Sequence, residues 1–236
     1  MDAPTTLQLP FGFALQAHWE YHAWLMFTIW IVLVPGIVLL TRYGKPPPSR
    51  EGIPKGSPKL GRKLYWFTVH RLGLSLLGFC SLCGGAIALL ANGGLSATIH
   101  AVFGIATVVL GILQLVSARL RGTHGGPDAS TQSAMTATVG RGDHYDMSPQ
   151  RRWFEAYHKI VGYFTVALAL GAVVTGLSQY WISSLAVGLG LTVIMWVVTM
   201  IVLEAKGFHH DTYLSNFGTG ARHPFNKLRI DQLNGD

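Results

Sequence analysis

Four histidines stand at the entrance of four successive apolar runs: His22, His70, His100 and His158. Ionisable side chains in or beside a membrane span are costly, so each carries a functional expectation. Consecutive spans run in opposite directions, which places His22 and His100 near one membrane face and His70 and His158 near the other. In an up-and-down four-helix bundle the first and third helices are diagonal partners, as are the second and fourth, and cofactors lie between facing side chains. The histidines therefore fall into two diagonal pairs. Each pair can offer two imidazoles to opposite sides of a flat macrocycle, the requirement of a haem iron with two axial histidines. Zinc wants about four ligands gathered at one point. Two levels of two ligands suit two b-type haems, one near each face, better than one metal cluster.

Glycines follow three of these histidines at helical spacing. Gly104 comes four residues after His100, Gly162 four after His158 and Gly73 three after His70. Positions three and four apart share a helix face, so a macrocycle could approach the backbone there. Glycine is also common in membrane helices, where small residues promote helix contact. A lone interfacial histidine is usually just a polar residue at a water boundary, but four at the same position of successive spans ask for a shared explanation. His18 would share the face of His22 if the first helix extended that far, and His22, nearer the apolar run, is the preferred ligand. His124, His144, His209, His210 and His223 lie in polar stretches. The adjacent His209 and His210 read as part of a solvated tail. Cys80 and Cys83 form a CxxC inside the second apolar run, where packing is the better reading than a redox or zinc site.

The elements that must position these residues are membrane spans. Of the 236 residues 50% are hydrophobic and only 12% charged, against roughly 25% charged in a soluble domain. Residues 23–41, 72–91, 100–118, 160–177 and 182–203 are each long and apolar enough to cross a hydrocarbon core of about 30 Å as helices. The expected fold is an all-α integral membrane protein: a four-helix haem-binding core over 23–181 and a fifth transmembrane helix over 182–203. Residues 1–22, with Phe11, Phe13, Trp19 and Tyr21, suit an interfacial segment. Loops 42–69 and 119–157 join the spans, the first of them proline-rich, and 204–236 form a polar tail.

The net charge of +7 could suggest a nucleic-acid partner, but its distribution argues for topology. All 18 Lys and Arg residues fall within 42–71, 119–159 and 206–229. The N-terminus and the links 92–99 and 178–181 have none. Because Lys and Arg are retained on the cytoplasmic side, the N-terminus is expected outside and the C-terminus inside, in an inner (cytoplasmic) membrane. The partners expected are the lipid bilayer, a quinone or quinol, and a soluble redox protein or other membrane subunits, with no nucleic acid.

These residues resemble the cytochrome b561 family, including the form fused to extracellular electron-donor domains. The resemblance is carried by His22-Ala-Trp-Leu-Met, His70-Arg71, His100-Ala-Val-Phe-Gly104 and His158-Lys-Ile-Val-Gly162 and covers about 22–180. It implies four core helices, two haems b with the same diagonal pairing, and transmembrane electron transfer, often from ascorbate or quinol to ferric chelates or an oxidised partner. Members using such anions tend to have basic residues near the haem edges, and here the outer face has none. Outer propionates would need neutral donors such as Trp19, Tyr21, Ser96, Thr98 or Tyr180, or water. On the inner face Arg71, Arg152 and Lys159 are available to propionates, although the same residues could merely enforce topology.

With two histidines on each iron no coordination position is left for oxygen or substrate, so chemistry is confined to electron transfer at the haem edge. Three readings follow: a self-contained transmembrane oxidoreductase, a haem-bearing membrane anchor of a larger respiratory complex exchanging electrons with quinone, and a non-haem transporter or channel with a histidine proton relay.

Overall fold

Among the described residues five helices are long and apolar enough to cross a membrane: Trp19–Tyr43 (α1), Tyr65–Ala91 (α2), Ile99–Arg119 (α3), Pro149–Gln179 (α4, whose apolar part is Trp153–Gln179) and Ser183–Ala205 (α5). The shortest has 21 residues, about 32 Å at the α-helical rise, enough for the hydrocarbon core. The computed structural model describes residues 5–8, 10–50, 65–121 and 149–220. Most of the two basic loops and the last part of the tail, with His124, His144 and His223, lie outside the described residues, as does the side chain of Arg152.

Helices α2 and α4 start well before the histidines that the sequence reading placed at span entrances. His70 is the sixth residue of α2, and His158 the tenth of α4. A hydropathy window registers only the lipid-facing length, whereas aromatic and basic residues at the membrane boundary continue the helix beyond it. Pro149 suits the first helical position, where its missing N–H costs nothing. Helices α2 and α5 stop in Schellman turns. Gly94 N–H reaches Leu89 O and Phe208 N–H reaches Leu203 O, around Gly93 (φ 69°) and Gly207 (φ 71°). The positive φ needed there is open to glycine without a Cβ penalty.

The N-terminal segment is not a simple interfacial strip. Thr5–Gln8 (β1) and Ala14–Ala17 (β2) pair antiparallel, with Thr5 opposite Ala17 and Gln8 opposite Ala14. The turn Pro10–Gly12 carries Phe11 at its tip, 97% exposed.

The chain divides into two compact units. The first comprises Met1–Ile37, Leu72–Val116 and Lys159–Val198, and the second comprises Val38–Arg71, Ser117–His158 and Thr199–Asp236. In the first, Phe27, Ile31, Leu177 and Leu185 form a buried cluster joining α1, α4 and α5. Residues Thr28–Leu33 of α1 form a π-helical stretch. Its cause is readable in the chain: Pro35 has no N–H for the carbonyl of Ile31, its α-helical partner, and its ring crowds that carbonyl. The carbonyl is satisfied from outside the helix, by the indole of Trp196 on α5 at 2.9 Å. Gly36 makes this possible, since a Cβ there would stand 3.3 Å from the Trp196 ring. Trp30, in the same stretch, donates to Ser81 Oγ on α2 at 2.8 Å and lies over Gly111 of α3. The widened turn thus ties α1 to three neighbours.

In the second unit Arg42 pairs with Glu204 at 2.9 Å, and Lys45 Nζ donates to the carbonyl of His210 at 3.2 Å. Part of the tail is folded: Asp211 caps the short helix Thr212–Phe217 (α6) through Leu214 N–H, and the N–H groups of Thr219 and Gly220 reach the carbonyls of Ser49 and Arg50. Neither cysteine is in a disulfide, and Cys83 is exposed rather than packed in a core.

Candidate functional site

His100 is held by two neighbours on α4. Its Nδ1 donates to the carbonyl of Ala172 at 2.8 Å, and its ring lies against Gly176, where a Cβ would meet Nδ1 at 2.9 Å. A carbonyl can only accept, so this contact fixes the proton on Nδ1 and leaves Nε2 with its lone pair. The helix carrying His100 is capped by Thr98, whose Oγ1 accepts Ala101 N–H at 3.2 Å and a bond from Ser96 Oγ at 3.4 Å. His22, on α1, hydrogen-bonds the backbone of Gly84 on α2 and lies within electrostatic reach of His100. This unit therefore brings together the first and third histidines. Gly104, one turn beyond His100, has nothing within 4 Å of the position its Cβ would take.

His18 is outside this arrangement. It is the N-cap residue of α1, with extended backbone, and its ring packs against Tyr21 at a centroid distance of 5.2 Å. Its carbonyl accepts the Tyr21 N–H at 3.0 Å, so it opens the helix without being part of it.

In the second unit His70 and His158 face each other. Their ring centroids are 5.9 Å apart with planes at 72°. Two imidazoles bound to opposite sides of one iron, each nitrogen about 2 Å from the metal, hold their centroids about 6 Å apart, a separation this pair matches. Thr41 Oγ1 lies 3.1 Å from His70 Nδ1. Phe154, one turn before His158 on α4, stacks on its ring at 5.1 Å. Backbone or hydroxyl partners on the second ring nitrogen are what orients metal-bound histidines.

Of the other sequence candidates, Gly73 and Gly162 follow their histidines on α2 and α4 and are half-buried; nothing stands within 4 Å of a Cβ at Gly162. Arg71 and Lys159 are exposed. Arg121, which was not among the candidates, lies close enough to His70 to act on it electrostatically, with its guanidinium 5.3 Å from the Phe67 ring centroid. Thr41, Ala172 and Gly176 were also missed. A glycine one turn from a histidine of another helix has no signature in one sequence, and any residue can supply a carbonyl. Among the described residues no three His, Cys, Asp or Glu side chains converge on a metal-sized site. A cleft of about 480 Å³ lined by Tyr43, Lys45, Tyr65, Lys206 and His210 contains none of the four.

No family model matches the chain, and no solved structure does. A curated relative is the cytochrome b561, DM13 and DOMON domain-containing protein of Arabidopsis thaliana, 29% identical over 194 residues. The match takes in 78% of this chain but only 18% of the relative. The chain is thus a five-span helical membrane protein whose similarity to that relative suggests the cytochrome b561 family.

Proposed function

We propose that the chain is a transmembrane electron-transfer protein that holds two b-type haems, one between His22 and His100 and the other between His70 and His158. The observation that carries this reading is the 5.9 Å approach of His70 and His158. Two imidazoles at that spacing, with no third ligand among the described residues, suit an iron already held by a macrocycle. The second support is the orientation of His100, whose Nδ1 is committed to Ala172 O and whose Nε2 is left for a metal. The open space beside Gly104 and Gly162 accommodates a flat group against α3 and α4. When bound, such a group supplies one-electron exchange at its edge, because both axial positions belong to the protein. The chain's part is to orient the imidazoles through Thr41, Ala172 and Gly84, to exclude water with its apolar helices and to carry the sites across the bilayer. By the charge distribution, the His22 and His100 site lies on the outer side and the His70 and His158 site on the cytoplasmic side.

Such a protein couples a donor on one face to an acceptor on the other. That the relative's name joins cytochrome b561 to DM13 and DOMON domains favours a protein domain or subunit as one electron partner, the arrangement of a haem-bearing anchor, over a small molecule alone.

The test is a reduced-minus-oxidised visible spectrum with haem quantitation on the purified chain and on His22→Ala and His70→Ala. About two b-type haems per chain, with one lost in each variant, is the expected result. Well-folded protein without haem would leave the histidines to a proton relay instead.

A further inference from the structure

Trp66 is 4% exposed, and its indole Nε1 has no hydrogen-bond partner among the described residues. An indole N–H can only donate, and a buried one ordinarily finds an acceptor. Interfacial tryptophans solve this by turning the N–H to water, a route closed to a side chain so covered. Trp66 stands four residues before His70 on α2, one turn away on the same face. Just past the end of α1, Lys45 follows Thr41 by four residues. Thr41 meets His70 at 3.1 Å, and Lys45 Nζ lies 5.9 Å from the centre of the Trp66 ring. Lys45 Nζ also donates to His210 O at 3.2 Å. Arg121 stands over the neighbouring Phe67. Just beyond the His70 level there is thus a buried neutral donor with no acceptor among the described residues, with the Lys45 ammonium over its ring.

We infer that the Trp66 N–H donates to a carboxylate of the haem held by His70 and His158, with Lys45 supplying neighbouring positive charge. A haem b carries two carboxylates at one edge, and a carboxylate is acceptor-only, the complement of what is assembled here. The assignment rests on the dihaem reading above. It replaces Arg71 and Lys159, which are exposed, as the primary contacts of that edge.

The experiment is a redox titration of the full-length haem-loaded protein and of Trp66→Phe, with resonance Raman spectra of the haem carboxylate bending bands. The His22→Ala background identifies the signal of the His70 and His158 site. Losing a donor leaves the carboxylate charge less compensated and favours ferric iron. Trp66→Phe is therefore expected to keep both haems and lower the reduction equilibrium of that haem about threefold to tenfold, roughly 30–60 mV for one electron. Its carboxylate band should shift, the other haem should not respond, and Trp153→Phe, at an exposed site, should change neither. An unmoved potential and band in Trp66→Phe would overturn the inference. Should that variant lose its haem, Lys45→Gln is read instead, with a smaller shift of the same sign expected and no shift counting against the proposal. A wild-type chain without haem would remove the dihaem reading itself, and this inference with it.

Discussion

The imidazole of His100 donates through Nδ1 to the carbonyl of Ala172, 2.8 Å away on another helix. Side-chain chemistry does not choose this partner; the local packing does, because α4 presents Gly176 beneath the ring. The contact sets the tautomer and direction of a candidate ligand before any metal arrives.

Gly176→Ala would set a methyl 2.9 Å from His100 Nδ1, and the ring has to move. We expect the haem at that site to bind on the order of 10–100-fold more weakly, as for other losses of ligand orientation. Haem content after gel filtration, compared with the wild-type chain, checks it. Full retention of both haems would show that His100 is not a ligand or that its orientation is immaterial.

Thr41→Val keeps the shape of the side chain and removes the hydroxyl 3.1 Å from His70 Nδ1. Both haems should remain, with affinity at the His70 and His158 site reduced about tenfold, whereas His70→Ala should empty it. Equal behaviour of the two variants in haem titrations would contradict a supporting role for Thr41.

Much of this arrangement was legible in the sequence, and the illegible part has a common cause. Histidines at the entrances of His22, His70, His100 and His158 stand out because an ionisable side chain beside a hydrophobic run is expensive, so single positions carry information. The spans were visible for the same reason, through the scarcity of charge. The partners of the histidines were not. The Ala172 carbonyl belongs to the backbone, and Thr41 could be any polar residue near a span end. Arg121 lies in what reads as a loop, while Arg71, adjacent to His70, is conspicuous in the sequence and exposed. The hairpin of residues 5–17 was hidden because its aromatics suit an interface equally well.

Trp196→Phe removes the donor for the Ile31 carbonyl that Pro35 leaves without its helical partner. Interhelical hydrogen bonds in membranes contribute about 0.6 kcal/mol on average and up to about 1.7. A loss within that range is expected here. Unfolding in mixed detergent measures it; no loss of stability would mean that another group takes the carbonyl.

Arg42 and Glu204 form the shortest ion pair described, yet their side chains are 36% and 48% exposed. Exposed pairs contribute little. Glu204→Gln should leave the thermal midpoint of the purified protein unchanged, and a clear drop would reveal that this pair has a role in docking α5.

Reporter fusions test sidedness independently of the haems. A fluorescent protein fused after residue 236 is expected to be active, and alkaline phosphatase at the same place inactive, if the basic flanks face the cytoplasm. The opposite pattern would exchange the faces assigned to the two histidine pairs.

The π-helical stretch over Thr28–Leu33 has a consequence for how α1 can be compared with other helices. A wide turn takes up about one residue more than a regular one, and one residue is about 100° of rotation. Residues before and after it therefore belong to two different helical wheels, and a stripe drawn through the whole of Trp19–Tyr43 at constant pitch groups side chains that face different ways. In the same way, an alignment scored without a gap at this point would pair the wrong positions on one side of Pro35. Relatives that lack the proline should be one residue shorter between the histidine and the end of the span, a difference in count that conserves direction.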